Sequence, residues 1–179
     1  MPMPPPVSFA PLSLRLALYQ PDIPQNAGTM LRACACLGIA ADIIEPAGFP
    51  VSDRHFRRSG MDYLDEVSIS RHISFAAFEL WRQAARQAQG GHRLVLLSTK
   101  ATSSYTDFRF ASDDIVMVGR ESAGVPDHVH LAADAQVKIV MRPKLRSLNV
   151  AVAAFMVLGE AIRQLQPAQG RAGEWNARD

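Results

Sequence analysis

Residues 137–165 read VKIVMRPKLRSLNVAVAAFMVLGEAIRQL and join a short apolar strand to a long apolar helix through a polar loop. We predict a strand over Val137–Met141, which Pro143 ends, and a helix over Leu148–Leu165. The helix carries one apolar stripe at helical spacing, formed by Leu148, Ala151, Val152, Phe155, Leu158 and Ile162. A strand that passes through a loop into a helix is the repeating unit of α/β sheets.

The same alternation of strands and helices runs through the rest of the chain. Further strands are predicted over Leu14–Tyr19, Ile39–Glu45, Asp65–Ile69, Leu94–Leu97 and Asp114–Val118. Further helices are predicted from an N-cap at Asn26 to Leu37 and over Phe75–Gln89, with a short basic helical turn over Val51–Arg58. This order predicts an α/β fold in which helices cover both faces of a parallel sheet.

The composition indicates one globular domain. The chain has 179 residues, of which 48% are hydrophobic and 20% charged, and this balance suits a single apolar core. We place the domain at residues 13–166, between a proline-rich leader (1–12) that we expect to be disordered and a flexible tail (167–179). No apolar run approaches the roughly 20 residues that a membrane span needs. Cys34 and Cys36 are poorly spaced for a disulfide, so we expect packing roles in a reducing cytoplasm.

Three polar loops follow predicted strands and should meet at one edge of the sheet. The first contains Asn26 and Arg32, the second runs from Gly119 to Pro126, and the third runs from Pro143 to Asn149. In open α/β sheets, ligands bind at the carboxyl ends of the strands. The three loops therefore predict one shared site.

Each loop also has a plainer interpretation. Asn26 and Ser147 are suited to capping helices, and the loop after Gly119 is compatible with an ordinary connection. Two observations favour a site. Arg32 has apolar neighbours in sequence and, if it is buried, needs an anionic partner. Asn149 is a poor helix former, so its amide is expected to serve a contact.

Other sites are excluded or left open by the motifs. The chain has no P-loop sequence, no glycine-rich dinucleotide fingerprint after the first strand and no nucleophile elbow. His128 and His130 lack a carboxylate or cysteine at ligand spacing, so we expect no metal. The net charge of +2 excludes a polycation, and any contact with nucleic acid must come from local clusters. The run with Arg54, Arg57 and Arg58 is either a solvated surface or a phosphate-binding cluster.

Taken together, the polar loops resemble the motifs of the SPOUT superfamily of RNA methyltransferases. The matching stretches are Pro24-Gln25-Asn26-Ala27-Gly28 with Arg32, Gly119-Arg120-Glu121 through Gly124-Val125-Pro126, Ser147-Leu148-Asn149, Ile44-Glu45-Pro46 and Arg57-Arg58-Ser59-Gly60-Met61-Asp62-Tyr63. More narrowly, the chain resembles the TrmL-type tRNA (cytidine/uridine-2′-O)-methyltransferases. The resemblance extends from about Leu14 to Leu165.

The resemblance implies a SPOUT fold with a trefoil knot in the C-terminal half, an S-adenosylmethionine site in the knot, and a homodimer with sites at the interface. The implied cofactor residues are Leu97, Ser98, Thr99, Gly119, Glu121, Ile139, Ser147 and Leu148. The implied catalytic residues are Asn26, Arg32, Ser147 and Asn149, with Arg32 acting from the partner subunit. No metal and no membrane are implied.

The implied reaction is methyl transfer to a ribose 2′-hydroxyl of tRNA, at the wobble nucleotide (C or U) of the anticodon loop. Because a guanidinium stays protonated, we expect Arg32 to stabilise the developing alkoxide, while substrate phosphate or water takes the proton. The tRNA contacts are expected at Arg54, Arg57, Arg58, Arg142, Lys144 and Arg146. Two alternatives stay open: a related enzyme that methylates another tRNA or rRNA ribose, and an RNA-binding protein without turnover.

Overall fold

A seven-stranded parallel sheet organises the described part of the chain. The computed structural model describes residues 12–50, 63 and 66–166. The strands are β1 (Arg15–Tyr19), β2 (Ala40–Ile44), β3 (Ile69–His72), β4 (Leu94–Leu97), β5 (Ser103–Ser104), β6 (Ile115–Val118) and β7 (Ala135–Lys138). The helices are α1 (Pro24–Leu37), α2 (Phe75–Gln89), α3 (Asp127–Ala132) and α4 (Val150–Leu165). The sheet order is β3-β2-β1-β6-β4-β7-β5, and every pairing is parallel.

Helices cover both faces of the sheet, as the sequence predicts. Alternate residues of a strand point to opposite faces. Leu16 and Leu18 of β1 pack in the same apolar cluster as buried residues of α1 and α4, whereas Ala17 and Tyr19 pack with Phe78 of α2 and Val129 of α3. All of these residues are buried. A strand buried on both faces has to be apolar at successive positions, which accounts for the continuous hydrophobic runs in the sequence.

The parallel pairing brings the loops of the site to one edge. Since the strands run in the same direction, their carboxyl ends all lie on the same side of the sheet. The central strands β1, β6 and β4 are consecutive neighbours, and β7 follows β4. The segments after these four strands therefore surround a common space, although they are far apart along the chain.

Two strands lie a few residues away from their predicted positions. The last predicted strand was Val137–Met141, but β7 is Ala135–Lys138, because Ala135, Gln136 and Val137 pair with β4. Polar Gln136 hides the start of this strand, and the apolar residues after Lys138 leave the sheet. The strand predicted at Asp65–Ile69 is β3, Ile69–His72, which pairs with β2 from Ala41 to Ile44. The two-residue strand β5 was not predicted, because two serines give no apolar signal.

Two helix starts also differ from the prediction. α1 begins at Pro24, so Asn26 lies in its first turn and is not the N-cap. Proline is well tolerated at the first helical position because the amide missing there has no helical partner. α4 begins at Val150, and its cap is Asn149 rather than Ser147: Asn149 Oδ1 accepts hydrogen bonds from the amides of Ala151 (2.9 Å) and Val152 (3.3 Å).

The remaining predictions are confirmed or untested. Helix α2 has the predicted bounds, Phe75–Gln89, and a short helix follows Pro126 as expected. Cys34 is buried and Cys36 is exposed. The basic turn at residues 51–58, residues 1–11 and the tail after residue 166 lie outside the described residues. The trefoil knot stays a prediction. None of the helices in the described ranges has the length and apolar character that crossing a membrane requires.

Candidate active site

A cleft of about 660 Å³ opens at the carboxyl edge of the sheet. Its walls come from the segments after β4, β6 and β7 and from the starts of α1 and α4. All eight predicted cofactor residues line it: Leu97, Ser98, Thr99, Gly119, Glu121, Ile139, Ser147 and Leu148. Three of the four predicted catalytic residues, Asn26, Ser147 and Asn149, line it as well. The fourth, Arg32, does not.

A chain of side-chain hydrogen bonds links the three polar loops across this cleft. Asn26 Nδ2 donates to Glu121 Oε1 at 3.1 Å. Asn149 Nδ2 donates to Asn26 Oδ1 at 3.0 Å. Since Asn149 Oδ1 caps α4, a single amide holds both a helix start and the neighbouring loop. These residues are 95 and 123 positions apart in sequence, so only the folded sheet brings them together.

The segment 119–124 folds back on itself at the end of β6. Arg120 and Gly124 exchange backbone hydrogen bonds of 3.2 and 2.8 Å. A Cβ atom at Gly119 would lie 2.7 Å from the carbonyl carbon of Gly124, which is closer than packing permits. Gly124 has φ +67°, in the left-handed region that glycine adopts without strain. The two glycines are therefore required by the shape of the loop, and their absence would reshape one wall of the cleft.

Asp22, which was not predicted from the sequence, holds this loop through its carboxylate. Its Oδ1 accepts the amide of Glu121 at 2.9 Å, and its Oδ2 accepts the Ser122 hydroxyl and, at 3.4 Å, the Ser122 amide. In return, Glu121 Oε2 accepts the Asp22 amide at 3.4 Å. Arg120 Nε lies 3.7 Å from Asp22 Oδ2, within reach of the charge but beyond hydrogen-bonding distance.

The two carboxyl groups of this cluster have opposite pKa shifts. Burial alone would raise the pKa of Asp22, but hydrogen bonds from the Glu121 and Ser122 groups outweigh it and hold that pKa well below its usual range. Burial, together with the nearby Asp22 carboxyl group, raises the pKa of Glu121. Two adjacent carboxyl groups resist simultaneous ionisation. The negative charge of the pair is therefore retained on Asp22 when the first proton binds, and Glu121 is the group that binds it.

His130 lines the cleft and its tautomer follows from its neighbour. The Nε2 amide group of Gln136 donates to the carbonyl oxygen of His130 at 3.0 Å, which fixes the orientation of the Gln136 amide. Gln136 Oε1 then faces His130 Nδ1 at 3.1 Å, and an oxygen there requires a proton on Nδ1. In the neutral ring, Nε2 is consequently a hydrogen-bond acceptor. From the sequence, this histidine had been considered only as a metal ligand.

Arg32 lies away from the cleft of its own chain. It is exposed on α1, and its guanidinium stacks on the ring of Tyr63 at 4.8 Å from the ring centre. Six residues separate it from Asn26, which corresponds to about 9 Å along the helix and a turn to a different face. Arg32 is therefore not buried in the single chain, and the condition under which it would need an anionic partner is not met.

The basic residues predicted to bind RNA are only partly within the described ranges. Arg142, Lys144 and Arg146 are exposed on the loop between β7 and α4. Lys144 has φ +76°, in the left-handed region that few non-glycine residues adopt. Arg54, Arg57 and Arg58 lie outside the described residues.

An apolar patch adjoins this basic loop. It consists of exposed side chains in the segment after β7 and on the outer side of α4, with Val140 70% and Leu145 65% exposed. We call it the α4 patch, and its members are Val140, Leu145, Leu148, Val152 and Met156. Large apolar side chains clustered at the surface mark interaction sites in soluble proteins.

The described residues offer no metal centre. Within residues 12–50, 63 and 66–166, no group of three or more His, Cys, Asp or Glu side chains is placed to hold an ion.

Comparison with known proteins gives one consistent family. Residues 13–159 match the SpoU rRNA Methylase family. A tRNA (cytidine(34)-2′-O)-methyltransferase of Beijerinckia indica is 71% identical over 150 residues, covering 84% of this chain and 91% of the relative. A protein of the same description from Escherichia coli K12 is 36% identical over 154 residues, covering 85% and 94%.

Solved structures agree with the sequence relatives. A structure described as giving structural insights into the 2-OH methylation of C/U34 on tRNA superposes with a TM-score of 0.79 at 40% identity, covering 87% of this chain and 97% of that one. The SpoU methyltransferase AviRb from Streptomyces viridochromogenes, in complex with the cofactor AdoMet, superposes with a TM-score of 0.80 at 28% identity, covering 88% and 60%.

Proposed function

Since the chain belongs to the SpoU rRNA Methylase family, we propose that its cleft binds S-adenosylmethionine and that the protein methylates the ribose 2′-hydroxyl of nucleotide 34 of tRNA. The protein is a methyltransferase. The assignment rests on the hydrogen bonds that join three segments, after β1, β6 and β7, around one cleft, although these segments are far apart in sequence. The chain that forms this cleft is 71% identical to a tRNA (cytidine(34)-2′-O)-methyltransferase.

The cleft fits S-adenosylmethionine in size and chemistry. Its volume of about 660 Å³ lies within the range of small-molecule sites. Apolar side chains suited to a flat adenine ring are present in Leu97, Ile139 and Leu148. Polar groups suited to ribose and amino-acid groups are present in Ser98 and Glu121. When bound, the cofactor supplies an electrophilic methyl group on a positively charged sulfur.

The residues of the cleft orient the reactants. The 2′-hydroxyl oxygen forms the new bond to the methyl carbon as the carbon–sulfur bond breaks, and the hydroxyl proton leaves to substrate phosphate or water. We assign Asn26, Ser147 and Asn149 to positioning the ribose and the loops, because all three line the cleft. Alignment of the attacking oxygen with the methyl carbon lowers the barrier by several kcal/mol, without a residue taking the proton.

Arg32 completes the site from a second copy of the chain. On its own chain it is exposed and does not line the cleft, and a partner subunit packed on the α4 patch would bury apolar surface next to the cleft. We therefore propose a homodimer in which the partner's guanidinium stabilises the developing alkoxide. The exposed Arg142, Lys144 and Arg146 beside the patch, together with Arg54, Arg57 and Arg58, would contact tRNA phosphates in the cytoplasm.

Transfer to nucleotide 34 is tested by incubating the protein with labelled S-adenosylmethionine and total tRNA from a strain lacking its gene. The labelled nucleotide is then mapped by mass spectrometry. We expect a 2′-O-methyl group at nucleotide 34. A label on another ribose would keep the enzyme class and change the substrate. Cofactor binding without any label would contradict catalysis and favour the RNA-binding alternative.

Substitutions of Arg32 test whether catalysis needs only its positive charge or also the shape of its guanidinium. We expect Arg32→Ala to lose nearly all methyl transfer and Arg32→Lys to keep much of it, because a single positive charge is enough to stabilise an alkoxide. The rate of transfer to tRNA under saturating cofactor is the measurement, and cofactor affinity is the control. Near-total loss in Arg32→Lys would instead show that the planar, two-pronged guanidinium is needed.

A further inference from the structure

Asp22 contacts the loop that forms one wall of the cleft, but it does not line the cleft itself. It follows β1 by three residues, and it is absent from the walls of the cleft. Its carboxylate receives three hydrogen bonds from the 119–124 loop: the amide of Glu121, the amide of Ser122 and the hydroxyl of Ser122. Hydrogen bonds to an ionised acceptor are roughly twice as strong as those between neutral groups. Asp22 is therefore the principal attachment of this loop to the segment after β1.

The attachment continues beyond the loop to α4. Glu121, whose amide Asp22 holds, accepts a hydrogen bond from Asn26 through its side chain. Asn26 in turn accepts one from Asn149, which caps the amides of Ala151 and Val152. Within the described part of the chain, Asp22 makes no hydrogen bond or ion pair with α4, so any influence on that helix must pass through Glu121 and Asn26.

The backbone around Asp22 leaves it little freedom to move. Gly48 packs against it so closely that a Cβ atom at position 48 would lie 2.9 Å from both Cα and Cβ of Asp22. The Gly48 amide also donates to the carbonyl oxygen of Pro21 at 2.8 Å. Because the backbone at Asp22 is held in place by Gly48, its carboxylate has a fixed position from which it can hold the 119–124 loop.

From these contacts we propose that Asp22 is a positioning residue, which sets the shape of the cofactor cleft by coupling the 119–124 loop to the start of α4. The inference rests on the proposed function for the identity of the cofactor. Its structural content, the coupling of two loops through Glu121 and Asn26, does not depend on which RNA is methylated.

The test compares Asp22→Asn and Ser122→Ala with the unaltered protein. Asp22→Asn keeps the size of the side chain but removes its charge and turns one acceptor into a donor that opposes the Ser122 groups. Ser122→Ala removes only the hydroxyl. Asp107→Asn is the matched control, because it removes one carboxylate from an exposed position outside the cluster.

Two quantities are measured: the dissociation constant for S-adenosylmethionine, and amide hydrogen exchange at Ala151, Val152 and the core residue Val116. We expect Asp22→Asn to bind the cofactor about tenfold more weakly and Ser122→Ala about threefold, and Asp107→Asn to bind normally. We also expect several-fold faster exchange at Ala151 and Val152 in Asp22→Asn, with a smaller change at Val116. That pattern would establish coupling rather than general destabilisation.

Other outcomes would overturn the proposal. Exchange that rises equally at Val116, Ala151 and Val152 would show that Asp22 only stabilises the fold. Cofactor binding within twofold of the unaltered protein, with unchanged exchange at Ala151 and Val152, would show no coupling. If the unaltered protein binds no S-adenosylmethionine, the proposed function fails, and the exchange data still decide the coupling.

Discussion

Asn149 uses the two ends of one amide for two purposes. Its Oδ1 caps α4, and its Nδ2 donates to Asn26. We expect Asn149→Ala to lower the free energy of unfolding by about 1 kcal/mol, the usual value of an N-cap. Serine caps a helix about as well as asparagine but cannot reach Asn26, so Asn149→Ser should keep most of the stability.

Comparison of the two variants separates capping from positioning. Urea denaturation gives the stability, and transfer of label to tRNA gives the activity. We expect both variants to lose activity, because both lose the bond to Asn26. Full activity in Asn149→Ser would mean that capping is the whole contribution of this residue.

The two cysteines differ in exposure and should differ in reactivity. Burial, aided by the carboxylate of Asp42, raises the pKa of the Cys34 thiol to about 12, so it remains a thiol at pH 8. Cys36 is exposed. Only the thiolate is alkylated quickly. Iodoacetamide at pH 8 should therefore add one group to the native protein and two in urea, as read from intact mass. Two additions to the native protein would contradict the burial of Cys34.

Residues of the site were predictable where they belong to a motif. Glu121 and Asn149 were named from such stretches, and both line the cleft. Asp22 was not named, because a single acidic residue in a loop carries no signal of its own. Its hydrogen-bond partners are 99 and 100 residues away, so its role exists only after folding.

Asp134 ties one helix to two strands. It lies just before β7, and its carboxylate accepts Arg82 Nη1 at 2.6 Å, Arg86 Nη1 at 2.7 Å and the amide of Leu94 in β4 at 2.8 Å. Burial opposes ionisation, but the hydrogen bonds from Leu94, Arg86 and Arg82 prevail and lower the pKa of Asp134. A carboxyl group with a lowered pKa in the folded protein binds its proton more readily once unfolded.

Stability should therefore depend on pH through this group. Its contribution is fully present above the ordinary aspartate pKa of about 4, and it is lost as the pH falls through the lower folded value. We expect Asp134→Asn to be less stable than the unaltered protein at pH 7. As the pH is lowered from about 5, the variant should lose less stability than the unaltered protein does. Urea denaturation across this range measures both, with Asp107→Asn as control. Parallel curves for Asp134→Asn and the unaltered protein would contradict the role of Asp134.

The bounds of a helix or strand were predicted well where the sequence marks both of its ends clearly. α2 was predicted to its exact bounds because Ser74 caps its start and accepts the Ala77 amide, and Gly90 ends it. α4 was placed two residues early, because Ser147 and Asn149 are both good caps and only the contact with Asn26 favours the second. The start of β7 depends on pairing with β4, which local sequence does not encode.

At the scale of the whole molecule, the proposed dimer can be tested by mixing inactive variants. Arg32→Ala lacks the guanidinium, and Gly119→Val forces a side chain into the Gly124 backbone and distorts one wall of the cleft. Each variant alone should be inactive. In a mixed dimer, the cleft of the Arg32→Ala subunit receives Arg32 from its partner, so one of two sites is intact.

Random reassociation makes half of the dimers mixed, so co-refolded variants should recover roughly a quarter of full activity. The rate of methyl transfer per protomer is the measurement. An inactive mixture, with mixed dimers demonstrated by mass spectrometry, would show that each site uses its own Arg32.

The fold class and the family could be predicted from the sequence. The knot and the dimer were predicted only because the chain resembles a known family. Alternating apolar strands and helices identify a parallel sheet because both faces must be covered. A knot has no local signature, since it depends on the path of the chain in space. The α4 patch, which we propose as the dimer interface, looks in sequence like any other apolar helix face.

The wide sequence separation within the site has a consequence for protein synthesis. Asn26 is made early, Glu121 much later and Asn149 later still, yet each needs the others in place. Contacts between distant parts of a chain form only after both parts exist. A nascent chain halted before α4 would carry the first two loops without the third wall of the cleft. We therefore expect translation products that end before α4 to be unable to modify tRNA.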